Sequence, residues 1–226
     1  MTMGGGNLKS VSISVGLATG IYGISFGALS VAAGFDLWQT MALSILMFSG
    51  GSQFAFVAVF ATGGVAALPA AITSAWLVGI RNGFYALALA PRIGPKGLLR
   101  VFSAQLTIDE SAAVSSSRST GGEQKQGFWW TGLSVFIFWN AATVLGATLA
   151  ANFVSDPKVF GLDAAAAAAL FALVWPRIQN SLGAAIAATS IVCSSIFSLM
   201  MPSGFPVLLG ACVAVAVGFM VDRGKS

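Results

Sequence analysis

The residues able to do chemistry in this chain are few, and they sit in apolar surroundings. Arg81 and Asn82 interrupt a long apolar run, and Asp109 and Glu110 stand side by side beyond the next loop. An arginine near the centre of a bilayer costs roughly 2.5–3.5 kcal/mol on insertion scales, so it calls for a carboxylate or a water-filled cavity. The competing reading ends the apolar span at Ile80 and lets Arg81 reach the surface along its stem. Adjacent carboxylic acids offer a partner for a cation or a place to exchange a proton. A further stretch, Phe48-Ser49-Gly50-Gly51-Ser52-Gln53-Phe54, sets paired glycines between serines inside an apolar run. Glycine weakens a helix by about 1 kcal/mol against alanine. A helix broken here would expose backbone groups and a half-helix N-terminus to a substrate carboxylate. A continuous helix whose glycines admit a neighbour is the alternative. Gln53 weighs towards the break, because a buried amide needs partners.

Other chemistries are excluded by what is missing. The chain has no histidine, which removes haem axial histidines, histidine–zinc sites and serine–histidine catalysis. Ser49-Gly50-Gly51-Ser52 therefore lacks the base that a nucleophile turn needs, and no Walker-type loop is present. Cys193 and Cys212 fall in apolar runs without metal-ligand spacing and read as inert core thiols. No enzyme activity, cofactor or metal is expected. The net charge of +4 does not point to nucleic acid, since the basic residues lie in loops and at helix ends, where membrane topology puts them.

The elements that must position these residues follow from composition. Apolar residues make up 57% of the chain and charged residues 8%, against roughly 25% charged in soluble domains. Apolar runs of about 20 residues match a hydrocarbon core about 30 Å thick. The alternation of a β-barrel is absent. The fold class is an all-α polytopic membrane protein, a single transmembrane domain over 1–226 embedded in the lipid bilayer. Apolar runs place spans near 11–33, 40–61, 65–90, 127–151, 164–175, 181–200 and 205–221, so about seven transmembrane helices, or about eight if 101–117 also crosses. Gly16, Gly20, Gly23 and Gly27 share one face of the first span, suited to close helix packing or to lining a path.

Segment 101–117 is open to several readings. Arg100, Ser103, Thr107 and Glu110 fall on one helical stripe, and Thr107 with Glu110 fits a capping box where a helix breaks and restarts. An amphipathic helix on the membrane surface, a re-entrant segment and a crossing helix all remain. If it does not cross, Lys9 and Lys158 lie on one side. Arg92, Lys96, Arg100, Arg118, Lys125, Arg177, Arg223 and Lys225 lie on the other. That bias places the N-terminus outside and the C-terminus in the cytoplasm. Gly34-Phe35-Asp36 and Gly161-Leu162-Asp163 also hint at inverted three-helix repeats, 8–90 and 127–200, joined by the polar segment 91–126.

Several of these stretches, in order, resemble the AzlC family, the large subunit of branched-chain amino-acid exporters. They are Gly23-Ile24-Ser25-Phe26-Gly27, Phe48 to Phe54, Ile80-Arg81-Asn82, Thr107-Ile108-Asp109-Glu110-Ser111 and Gly161-Leu162-Asp163. The resemblance implies a permease of the bacterial inner membrane that exports valine, leucine, isoleucine and sometimes methionine, driven by the proton gradient. It also implies a small AzlD-like membrane subunit as partner. Gly79 and Asn82 stand where the family tends to carry asparagine and histidine, and Ile108 separates Thr107 from Asp109. On this reading a substrate carboxylate meets Ser49, Gly50, Gly51, Ser52, Gln53 or Arg81, with Phe54 and Asn82 beside it. The ammonium or the coupling proton meets Asp109 or Glu110, and Phe48, Phe54 and Trp76 wall the side chain. A non-transporting scaffold subunit and a passive channel are the alternatives.

Overall fold

The computed structural model describes residues 7–153, 171, 175, 178–201 and 205–223. The described residues form α1 (Leu8–Gly20), α2 (Tyr22–Ala32), α3 (Leu37–Met47), α4 (Gly50–Gly63), α5 (Leu68–Ile93), α6 (Leu98–Gln105), α7 (Asp109–Ser116), α8 (Gly121–Phe153), α9 (Ser181–Ser198) and α10 (Phe205–Arg223), with no strands among them. Leu8–Ala32, Gly50–Ile93, Gly121–Asn152 and Ser181–Ser198 are long and apolar enough to cross a membrane. The span expected at 164–175 lies outside the described residues apart from Phe171 and Trp175.

The core is built on α8, with α1 and α2 running parallel to it. Contacts advance together along both: Ser12 with Thr131 through their hydroxyls at 2.9 Å, then Gly16 with Ser134, Gly20 with Phe138, Gly23 with Trp139 and Gly27 with Thr143. A Cβ at Gly16 would lie 2.5 Å from that of Ser134, and one at Gly27 would collide with the Thr143 carbonyl. The glycine face therefore serves helix packing, which brings backbones together where larger side chains would hold them apart.

The stretch at 40–61 is not a crossing span. Asp36 caps α3, its carboxylate accepting from Gln39 N at 2.8 Å, and α3 ends at Met47. The chain then turns back. A straight helix would separate Phe35 from Phe60 by about 37 Å, yet their ring centroids are 4.6 Å apart. Within the fold of this hairpin, Gln53 Nε2 donates to Leu43 O and Ser44 O. Thus α3 and α4 enter from the face where α2 ends and leave by the same face. A 3₁₀ turn over Gly64–Ala67 leads into α5, which descends antiparallel to α4 with Gly79 against Ser52 Oγ.

Segment 101–117 forms a second hairpin from the opposite face. Arg100 and Ser103 line a cavity with Phe128, and a Cβ at Gly127 would lie 3.3 Å from Val114. Both outer ends of the segment therefore sit beside the start of α8. Its tip reaches further along that helix, with Leu106 against Gly132. The stripe joining Arg100, Ser103, Thr107 and Glu110 is accordingly split between two arms. Thr107 is not the cap either: its hydroxyl donates to Ser103 O, while Ser111 Oγ accepts from Ile108 N and closes the start of α7.

This arrangement moves Lys9 relative to the charge count made from sequence, of which Lys158, Arg177 and Lys225 lie outside the described residues. Lys9 Nζ lies 4.8 Å from the Trp130 ring centroid, so Lys9 shares a face with Arg118 and Lys125. Because α5 also descends to that face, Arg92, Lys96 and Arg100 join them. α9 and α10 pair with each other, Ser194 Oγ donating to Pro206 O at 3.0 Å, and α10 also meets α5. Cys212 on α10 is exposed, not a core thiol.

Candidate functional site where two broken hairpins meet

The tips of the hairpins converge on one cavity of about 140 Å³. From the first hairpin come Phe48, Ser49, Gly50, Gly51 and Phe54; from the second, Ile108, Asp109 and Glu110. Arg81 and Asn82 of α5, Val135 and Trp139 of α8, and Thr19 and Tyr22 at the α1–α2 junction complete the lining. Helix ends meet here because the chain breaks here. The glycines cost helix at Gly50 and Gly51, and Ser111 offers the backbone a local alternative to continuing the helix through Ile108.

The start of α4 is open. Ser49 is extended and its side chain does not cap the helix; its hydroxyl instead accepts from Ser52 Oγ at 3.2 Å. The first helical bond runs from Gln53 N to Ser49 O. The N–H groups of Gly50 and Gly51 thus point out of the helix end without helical partners, at the positive end of its dipole. Arg81 approaches the same turn, one of its terminal nitrogens 3.1 Å from where a Gly51 Cβ would stand. That nitrogen, Nη2, is 2.7 Å from Asp109 Oδ2. Glu110 accepts a longer bond, 3.4 Å, from the Thr19 hydroxyl. Arg81 Nε, Asn82 Oδ1 and Trp139 Nε1 are buried without hydrogen-bond partners, a condition native proteins rarely leave to buried polar atoms.

The apolar wall is aromatic. Phe26, Phe54 and Trp139 form a cluster with centroids 5.9–6.2 Å apart, and Phe48 stands edge-on to Phe136 at 4.9 Å. Of the residues singled out from sequence, Phe48, Ser49, Gly50, Gly51, Phe54, Arg81, Asn82, Asp109 and Glu110 share this cavity. Ser52 and Trp76 instead line a neighbouring cavity of about 500 Å³ with Ser49 and Asn82. Gln53, 1% exposed, serves the α3 carbonyls. Trp139, Thr19 and Gln105 escaped notice because nothing local marks them. Trp139 sits in an ordinary apolar helix, and Gln105 acts at a distance, its Nε2 donating to Ile45 O and Leu46 O.

The long apolar helices define a multi-pass membrane protein, and the meeting of its two hairpin tips leaves a cavity that carries an ion pair and free helix-end N–H groups. Residues 14–153 match the family model described as AzlC protein, and the chain belongs to that family, whose members are branched-chain amino-acid exporters. Its function is therefore related to branched-chain amino-acid transport. No curated protein and no solved structure matches the chain.

Proposed function

We propose that the chain is the large subunit of a proton-coupled exporter of branched-chain amino acids, and that the cavity between the hairpin tips is its substrate site. The observation that carries this reading is the placement of opposite charges across one small space. The open α4 end and Arg81 suit a carboxylate. Asp109 and Glu110 suit an ammonium group. Phe48, Phe54 and Trp139 suit an aliphatic side chain, with Trp139 in the place expected for Trp76. Asp109 is committed to Arg81, which leaves Glu110 as the carboxyl free to exchange a proton during turnover.

The charge distribution among the described residues supports an orientation. Lys9, Arg92, Lys96, Arg100, Arg118 and Lys125 gather on one face, and Asp36 is the charged residue on the other among the described residues before α9. The positive-inside rule makes the first face cytoplasmic. On this reading the N-terminus lies in the cytoplasm of a bacterial inner-membrane protein, reversing the expectation from sequence, and a small AzlD-like subunit completes the permease.

Efflux of labelled valine from cells carrying the full chain tests the proposal. The expected result is export that collapses with the proton gradient and with Arg81→Ala. If Arg81→Ala and Glu110→Gln both leave efflux and its pH dependence intact, the cavity is not the coupling site. If they alter the yield of the complex and not export, the chain is a scaffold.

A further inference from the structure

One side chain crosses from one hairpin to the other at the depth where the two meet. α3 stops at Met47, and no backbone N–H returns to its last turn among the described bonds. The last four carbonyls of a helix have no helical partner, and in hydrocarbon no water replaces one. Two glutamines fill this need. Gln53, on the same hairpin, reaches Leu43 O at 3.2 Å and Ser44 O at 3.1 Å. Gln105, the last residue of α6 on the opposed hairpin, reaches Ile45 O at 2.6 Å and Leu46 O at 3.3 Å. Of the last four carbonyls of α3, Ser44 O is thus taken by Gln53 and Ile45 O and Leu46 O by Gln105, so two of the four depend on the hairpin inserted from the other face.

We infer that Gln105 is a positioning residue. By bonding Ile45 and Leu46 it fixes the end of α3, and through Phe48 and Ser49 it holds the α4 N-terminus at the cavity. It touches no lining residue's reactive atom itself. The bond needs a donor at position 105, because both partners are carbonyl oxygens. It also ties the hairpins together: α6 cannot slide along α3 without baring Ile45 O and Leu46 O to an apolar medium, where an unmade bond is costly. The role in export rests on the transporter reading above; the role in holding Ser49 does not.

The donor requirement supplies the experiment. In the full chain carrying Cys193→Ser and Cys212→Ser, Ser49→Cys reports on the break, since Ser49 is 6% exposed. Its alkylation by N-ethylmaleimide in native membranes is compared among Gln105, Q105E, which keeps the shape but lacks donors, and Q105K, which keeps a donor. The expected result is alkylation at least about tenfold faster in Q105E and within about threefold of the parent in Q105K, as loss of the bonds that hold the end of α3 requires. Valine export without the reporter shows the same split, as a rise in the half-saturating concentration in Q105E and not in Q105K. Where Q105E fails to accumulate, Q105M removes the donors without adding charge and gives the same rise. Equal rates for Q105E and the parent, or equal acceleration by Q105E and Q105K, overturn the inference. Absence of valine export in every chain, parent included, overturns the transporter reading while the alkylation rates still decide Gln105.

Discussion

The two hairpins share a shape and differ in charge. Each enters to the middle of the bundle, breaks, and starts a second helix at the cavity. The start of α7 is self-sufficient: Ser111 Oγ accepts from Ile108 N at 3.1 Å, and Asp109 and Glu110 occupy its first turn, where a helix dipole favours acids. The start of α4 has glycines and an uncapped end. One helix brings its own anions, and the other is left to receive one. Arg81 stands between them, paired with Asp109 and close to Gly51. Such an asymmetry suits a zwitterion, whose two charges need opposite partners a short distance apart.

The asymmetry fails most completely if the ion pair is broken. Asp109→Asn leaves Arg81 without its carboxylate, and valine export falls about 100-fold, close to 2.7 kcal/mol. Both side chains are partly exposed to the cavity, 28% and 40%, so the loss in folding stability is smaller than for a fully buried pair. Export by Asp109→Asn at the parent level, measured at equal membrane abundance, would remove Arg81 from the mechanism.

Making the hairpins alike is the next largest change. Ser49→Asp gives α4 the anion and the cap that it lacks. Thermal stability in detergent rises or stays level, since a good cap contributes about 0.5–2 kcal/mol. Export drops at least about tenfold, because the introduced carboxylate competes for the site at the helix end. Loss of stability together with loss of export would show that Ser49 is structural only.

Glu110→Gln separates the acids. It keeps the Arg81–Asp109 pair and removes the carboxyl proposed to exchange a proton, so export down a large valine gradient stays within about threefold, while its response to an imposed pH difference flattens. A full pH response in this variant assigns the proton elsewhere. The smallest effect is on the fold. Gln53→Met takes the donor from Leu43 O and Ser44 O and lowers stability by about 1–3 kcal/mol, the cost of an unsatisfied buried group. Thermal unfolding that does not shift would mean that α3 finds another closure.

Much of the candidate site is legible in the sequence, for identifiable reasons. Ser49-Gly50-Gly51 reads as a break because glycine's weakness in a helix is a local property. Arg81, Asp109 and Glu110 stand out because charge at membrane depth is expensive wherever it occurs. Phe54 and Asn82 came with these neighbours. Ser52 is grouped with the site by adjacency and Gln53 by the need of a buried amide for partners; a half-turn along the start of α4 points Ser52 into the next cavity, and the partners of Gln53 are carbonyls of α3. Trp76 is displaced for a similar reason, as it lies on the other side of α5 from the ion pair. Trp139 carries no signal beyond being aromatic, and its role depends on α8 lying parallel to α1 and α2.

By itself the sequence determined the solvent, the helical class and the points where helices stop. Hydrophobicity, glycine propensity and the cost of buried charge act over a few residues and survive in any fold of the chain. Only the tertiary structure decided the direction taken after each stop. A broken helix continues across the membrane or turns back according to contacts made far away: Phe35 on Phe60 for one hairpin, Val114 on Gly127 for the other. Those two reversals move Lys9 to the face of Arg118 and Lys125, and they bring Asp109 to Arg81. The geometry of the candidate site rests on long-range packing that no local pattern encodes.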